Sequence, residues 1–113
     1  MPASRRPDVP RNLKPYFLCL LKRGQRWNVT EGHEDLMPNY LAWLRREAEA
    51  RRILFAGPVT DEGELIGVAA IEAESAEAAA EIAQGNPGVA SGHFVVELRP
   101  CFLPALDGVR MEY

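Results

Sequence analysis

The chain has 113 residues, of which 47% are hydrophobic and 26% charged, with a formal net charge of −3. That length suits one domain and excludes two substantial cores, and it leaves little interior to spare for an enclosed ligand cavity. The slight acidity excludes the Lys/Arg excess with which a whole domain neutralises nucleic-acid phosphates, and an anionic membrane surface is excluded on the same ground.

Residues 1–14 carry Arg5, Arg6, Arg11 and Lys14 among prolines and hold no apolar run. They read as a flexible N-terminal arm; a secretory signal lacks its apolar stretch, and prolines would break the helix of a transit peptide. No later segment approaches the ~18 apolar residues of a membrane span. Cys19 and Cys101 belong to no metal-ligand spacing. They read as reduced, buried thiols of a cytoplasmic protein, and a crosslink under oxidation stays open should the first and last strands be neighbours.

Residues 16–22 are apolar on both alternating faces, which predicts a central strand covered on both sides. Residues 23–33 have no period and read as a long loop into a helix that Asp35 caps, with Pro38 in its first turn. Met37, Leu41, Leu44 and Ala48 form that helix's apolar stripe, Arg45, Arg46, Glu47 and Glu49 its solvated face, and Arg51 and Arg52 its close. A short strand over 53–56 stops at Gly57-Pro58, and after the turn at Asp61-Glu-Gly63 a second strand, apolar on both faces, spans 65–71. Ser75 then caps an alanine-rich helix over 76–84, which Gly85-Asn-Pro-Gly88 breaks. Residues 93–99 alternate, with Phe94, Val96 and Leu98 on one face, and Pro100 ends the strand.

The order is βαββαβ, an α+β domain whose two helices cover one face of a four-stranded sheet. The strands are too apolar for their other face to meet water, so burial alone predicts a homodimer packed through that face.

Several segments then resemble a known family: residues 16–27 (YFLCLLKRGQRW), Tyr40-Leu-Ala-Trp-Leu44, Phe55-Ala-Gly-Pro58, Asp61-Glu-Gly-Glu-Leu-Ile-Gly67, Asn86-Pro-Gly-Val-Ala-Ser-Gly92 and Val96-Glu-Leu-Arg-Pro100. In order and spacing they are similar to the YCII-related (YciI-like) family over residues 15–104, with 105–113 a C-terminal tail. The resemblance implies a ferredoxin-like subunit with a four-stranded antiparallel sheet, in the dimeric α/β-barrel superfamily, with a cleft near the dimer interface. It also implies a small-molecule ligand and no cofactor. That family is similar to a chlorinated-hydroquinone dehydrochlorinase and, more remotely, to muconolactone isomerases.

The family's proposed proton-transfer pair is a histidine and an aspartate, and those positions here hold Tyr40 and Asn86. A carboxylate orients and charges an imidazole for proton transfer near neutral pH; a phenol beside an amide does not. A tyrosine that titrates near pH ~10 can still donate a proton. Two readings follow: a binding or accessory protein that has lost the dyad, or a cofactor-independent lyase or isomerase with Tyr40 as general acid, Asn86 orienting it and His33 as a relocated base. Arg23 and Arg26 beside Trp27 suit an anionic or aromatic ligand, and Gly57 and Ser91 complete the candidate binding set. His93 reads as structural, and neither histidine lies in a carboxylate cluster that would make a metal site.

Overall fold

The computed structural model describes residues 9–31 and 33–112, so most of the expected N-terminal arm, residues 1–8, lies outside the described residues. The chain runs β1 (Lys14–Arg23), α1 (His33–Glu49), β2 (Ile53–Pro58), β3 (Leu65–Ile71), α2 (Ala76–Gln84), α3 (Pro87–Ala90) and β4 (Phe94–Leu103). The four strands form one sheet in the order β2-β3-β1-β4, every neighbouring pair antiparallel. This is the ferredoxin-like arrangement, and it places the two most apolar strands at the centre, where neither has a free edge.

Register assigns the faces. Phe17 pairs with Ile71 and Cys19 with Ala69 and Leu98, and these side chains pack under Trp43 and Leu44 of α1 and Ala79 and Ala83 of α2. Alanines on α2 let the helix approach the sheet closely, and the Ser75 hydroxyl starts that helix by accepting from the Ala78 N–H at 3.1 Å. The intervening residues Leu18, Leu20, Phe55 and Val68 project from the opposite face and remain half-buried. Lys22, Glu97 and Arg99 border that patch, with Glu97 bridging to Lys22 at 3.2 Å and to Arg99 at 3.0 Å. Cys101 pairs with Tyr16 on this second face, whereas Cys19 faces the helices. The sheet therefore separates the two thiols and the crosslink left open by the sequence is excluded within one chain.

Several elements differ from the sequence reading. Lys14 already belongs to β1, so the arm is shorter than expected. Pro38 sits inside α1 rather than in its first turn, since the helix begins two residues before Asp35. Glu47 is buried rather than solvated, because Arg52 holds both its carboxylate oxygens at 2.8 Å. β4 continues through Pro100 to Leu103, which an edge strand permits because a residue there needs only one ladder. The Asn86-Pro87 break itself forms the short α3.

The end of α1 is a Schellman motif. The Arg52 N–H bonds the Glu47 carbonyl and the Arg51 N–H the Ala48 carbonyl, with Arg51 at φ 59°, where glycine is usual. Its guanidinium donates to the carbonyls of Val109 (2.8 Å), Leu106 (3.0 Å) and Asp107 (3.3 Å) in the C-terminal tail. The Leu106 N–H donates to the Tyr16 hydroxyl at 2.8 Å and Lys14 reaches Asp107, so the tail folds back over one end of the second sheet face and buries Tyr16.

Candidate functional site

A cleft of about 300 Å³ opens on the helix side of the sheet, at the end where β1 and β2 finish and β3 and β4 begin. Met37, Tyr40 and Leu41 of α1 form one wall, Ala56 to Pro58 of β2 with Ile66 and Gly67 of β3 form the floor, and Trp27 and Phe94 close the far side. The missing side chain at Gly67 keeps the floor open, since a Cβ there would stand 3.5 Å from Leu21 and 3.2 Å from the Gly57 carbonyl. Three aromatic rings share one corner: the Trp27 and Phe94 centroids are 6.0 Å apart, and Tyr40 meets Phe94 edge-on at 5.8 Å. Tyr40 also stacks on Trp43 at 6.2 Å, which fixes its ring between core and cleft. Among the described residues no Asp, Glu, Lys or Arg lines the cleft.

Behind Tyr40 lies a void of about 20 Å³, room for about one water, lined also by Cys19, Trp43 and Asn86. Tyr40 thus borders both spaces, while Asn86 borders the void alone. Asn86 is buried, and its Oδ1 accepts from the Gly88 N–H at 2.9 Å as the cap of α3. Burial pushes the Cys19 thiol up to about 11, so it remains protonated at neutral pH and is no nucleophile.

The loop after β1 is fastened to the start of β4. The Gly24 N–H bonds the His93 carbonyl at 2.8 Å and the Arg26 N–H the Gly92 carbonyl at 2.9 Å. Both glycines are needed: a Cβ on Gly24 would collide with the Gly92 carbonyl, and Gly92 sits at φ +84° under the Arg26 side chain. Trp27 is therefore presented to the cleft with the Arg23 guanidinium 5.5 Å from its ring centroid. Neither Arg23 nor Arg26 lines the cleft; Arg26 borders a separate open groove against α2 and β4.

A family model described as YCII-related domain matches residues 16–101. The chain belongs to the YCII-related family. Among solved structures, this family member is similar to 5-chloro-2-hydroxyhydroquinone dehydrochlorinase from Burkholderia phenoliruptrix, determined in complex with 2,5-dihydroxybenzoquinone. The two share 20% identity with a TM-score of 0.54, over 76% of this chain and 91% of the other. No curated protein matches the chain by sequence.

In this YCII-related chain the two positions where the resemblance expects a histidine and an aspartate, Tyr40 and Asn86, meet at the small void rather than in the cleft. Of the remaining candidates, Trp27 and Gly57 line the cleft, and Ser91 lies in the α3–β4 turn, bonded to His93. His33 begins α1, and its side chain lies outside the described residues. Phe94, Met37 and Ile66 were missed as cleft residues. Alternation along β4 marked Phe94 as apolar, but only its place as the first residue of the strand turns it toward Trp27 and Tyr40. No three His, Cys, Asp or Glu groups among the described residues are placed to hold a metal ion, and no helix there is long and apolar enough to cross a membrane.

Proposed function

We propose that this YCII-related protein is a homodimer that binds a small, uncharged, ring-shaped metabolite in the cleft, in a binding or accessory role without His/Asp proton transfer. The observation that carries the reading is the cleft wall itself: Trp27, Tyr40 and Phe94 around a floor of small residues, with no charged side chain among the described lining residues. An anion placed there would lose its hydration and find no counter-charge, whereas a planar ring gains stacking and apolar burial. Arg23, 5.5 Å from the Trp27 ring centroid, is the proposed partner of a polar substituent that leaves the mouth. Dimerisation follows from the half-buried Leu18, Leu20, Phe55 and Val68, a patch whose rim of Lys22, Glu97 and Arg99 supplies both signs of charge for a self-complementary contact. This face is continuous with strands that end at the cleft, and a soluble cytoplasmic dimer is the setting proposed for it.

Tyr40 favours a second reading. It is the one ionisable side chain on the cleft wall among the described residues, so it could serve as general acid in a cofactor-independent lyase or isomerase, and the similar dehydrochlorinase was determined with a quinone bound. Thermal unfolding with hydroquinone and with benzoate separates the possibilities. A ligand present at 100 times its Kd stabilises by about 2.7 kcal/mol, roughly 10 °C in a domain of this size. Hydroquinone should raise the transition, Trp27→Ala should abolish the rise, and benzoate should have little effect. Stabilisation by benzoate alone, or a rise that survives Trp27→Ala, refutes the uncharged-ring reading. Turnover of a halogenated hydroquinone that Tyr40→Phe abolishes would establish the enzyme. Light scattering that gives a monomer at micromolar concentration refutes the dimer.

A further inference from the structure

We infer that His93 is a positioning residue that sets the width of the cleft by latching its outer wall, an inference that rests on the cleft being the binding site. His93 is 4% exposed and lies between the two segments that carry the far side of the cleft. Its Nε2 is 2.9 Å from the Val29 carbonyl oxygen. A carbonyl only accepts, so the proton of the neutral ring is on Nε2, and Nδ1 is left as an acceptor. The Ser91 hydroxyl stands 2.6 Å from Nδ1 and in this tautomer gives it its one proton, which orients the ring from its other edge, so that its 3.1 Å approach to the Gly88 carbonyl is a contact without a donated proton.

The consequence is mechanical. Backbone bonds fasten the loop to the start of β4 at Gly24 and Arg26, before Trp27. After Trp27 the backbone bond is local, from the Val29 N–H to the Arg26 carbonyl, and the hydrogen bond across to the start of β4, beside the Trp27–Phe94 ring contact, is the imidazole's. Beyond Val29 the chain leads into α1, which brings Met37 and Tyr40 to the opposite wall. The His93 ring therefore fixes Trp27 from its C-terminal side. Its partner Ser91 caps the same short helix that holds Gly88, against which Phe94 packs so tightly that a Cβ there would overlap the ring. One side chain ties Trp27 and Phe94 to a common frame.

The two nitrogen arms can be separated by substitution. His93→Gln keeps a donor where Nε2 stands, and His93→Asn keeps an acceptor where Nδ1 stands but cannot reach Val29. The chain has two tryptophans, so protein labelled with 5-fluorotryptophan gives two fluorine resonances, which Trp27→Phe assigns. His93→Asn should shift or broaden the Trp27 resonance while Trp43 stays in place, and should weaken hydroquinone binding at least fivefold. His93→Gln should leave both resonances and bring affinity within twofold of the parent. Ser91→Ala, which retains the Val29 arm, should broaden Trp27 without moving it and serves should His93→Asn fail to fold. An unchanged Trp27 resonance in His93→Asn and Ser91→Ala, or equal behaviour of the Asn and Gln variants, overturns the latch. The resonances are read without ligand, so a protein that binds no hydroquinone leaves this test intact.

Discussion

Replacing Arg51 measures how the C-terminal tail is held. The side chain donates three hydrogen bonds, at 2.8, 3.0 and 3.3 Å, to carbonyls of residues 106–109, while its backbone stays at φ 59°. A bond from a charged donor contributes about 1.5–3 kcal/mol when buried, and less where water competes, as at the longest of the three. Arg51→Ala removes the bonds and keeps the left-handed backbone, so about 2 kcal/mol of stability should be lost. Arg51→Gly removes the same bonds but relieves a conformation that costs a residue with a Cβ about 1 kcal/mol, so it should stand roughly that much above the alanine variant. Urea unfolding at fixed protein concentration gives both differences, and amide exchange at Leu106 and Val109 reports release of the tail. A loss below about 0.5 kcal/mol in Arg51→Ala, with exchange unchanged, would refute the clasp; equal stability of the two variants would refute the backbone strain.

Two further perturbations address core and cleft. The Cys19 thiol is pushed by burial from the ordinary 9.0 to about 11, so its contribution is fully present below pH 9 and is lost as pH rises through 11. Roughly 2–3 kcal/mol should disappear across that window, and Cys19→Ala should flatten the alkaline slope in a pH series of unfolding curves. Gly88→Ala would drive a methyl into the Phe94 ring and should cost about 1–3 kcal/mol and weaken hydroquinone binding. A variant with parental stability and affinity would show that Phe94 moves freely.

The fold was legible because its signals are local or periodic. Apolar runs on both faces marked β1 and β3 as central, and Ser75 and Gly85 bounded α2 almost to the residue. The misses have long-range causes. Glu47 reads as solvated on its own helix and is buried by Arg52, which lies beyond the turn. Pro100 reads as a stop because the sequence does not show that β4 has a free edge. At the cleft, Tyr40, Trp27 and Gly57 were named from motif position, whereas Phe94 turns toward them through its place at the start of β4 and its packing on Gly88; Arg23 and Arg26, read as partners of an anion, line no part of the cleft wall. His93 reads as structural, and both ring nitrogens are bonded; Ser91 is local to it, but the Val29 carbonyl lies 64 residues away in the chain and left no local signal.

The proline within β4 bears on how copies of this chain can meet. A ten-residue outer strand is a ready template on which another chain could add in register, the first step toward open-ended aggregates. Pro100 removes one donor from the middle of that strand, and Arg99 beside it is exposed and charged. Growth strand upon strand is interrupted there, which leaves the broad side of the sheet as the surface on which the proposed dimer would close.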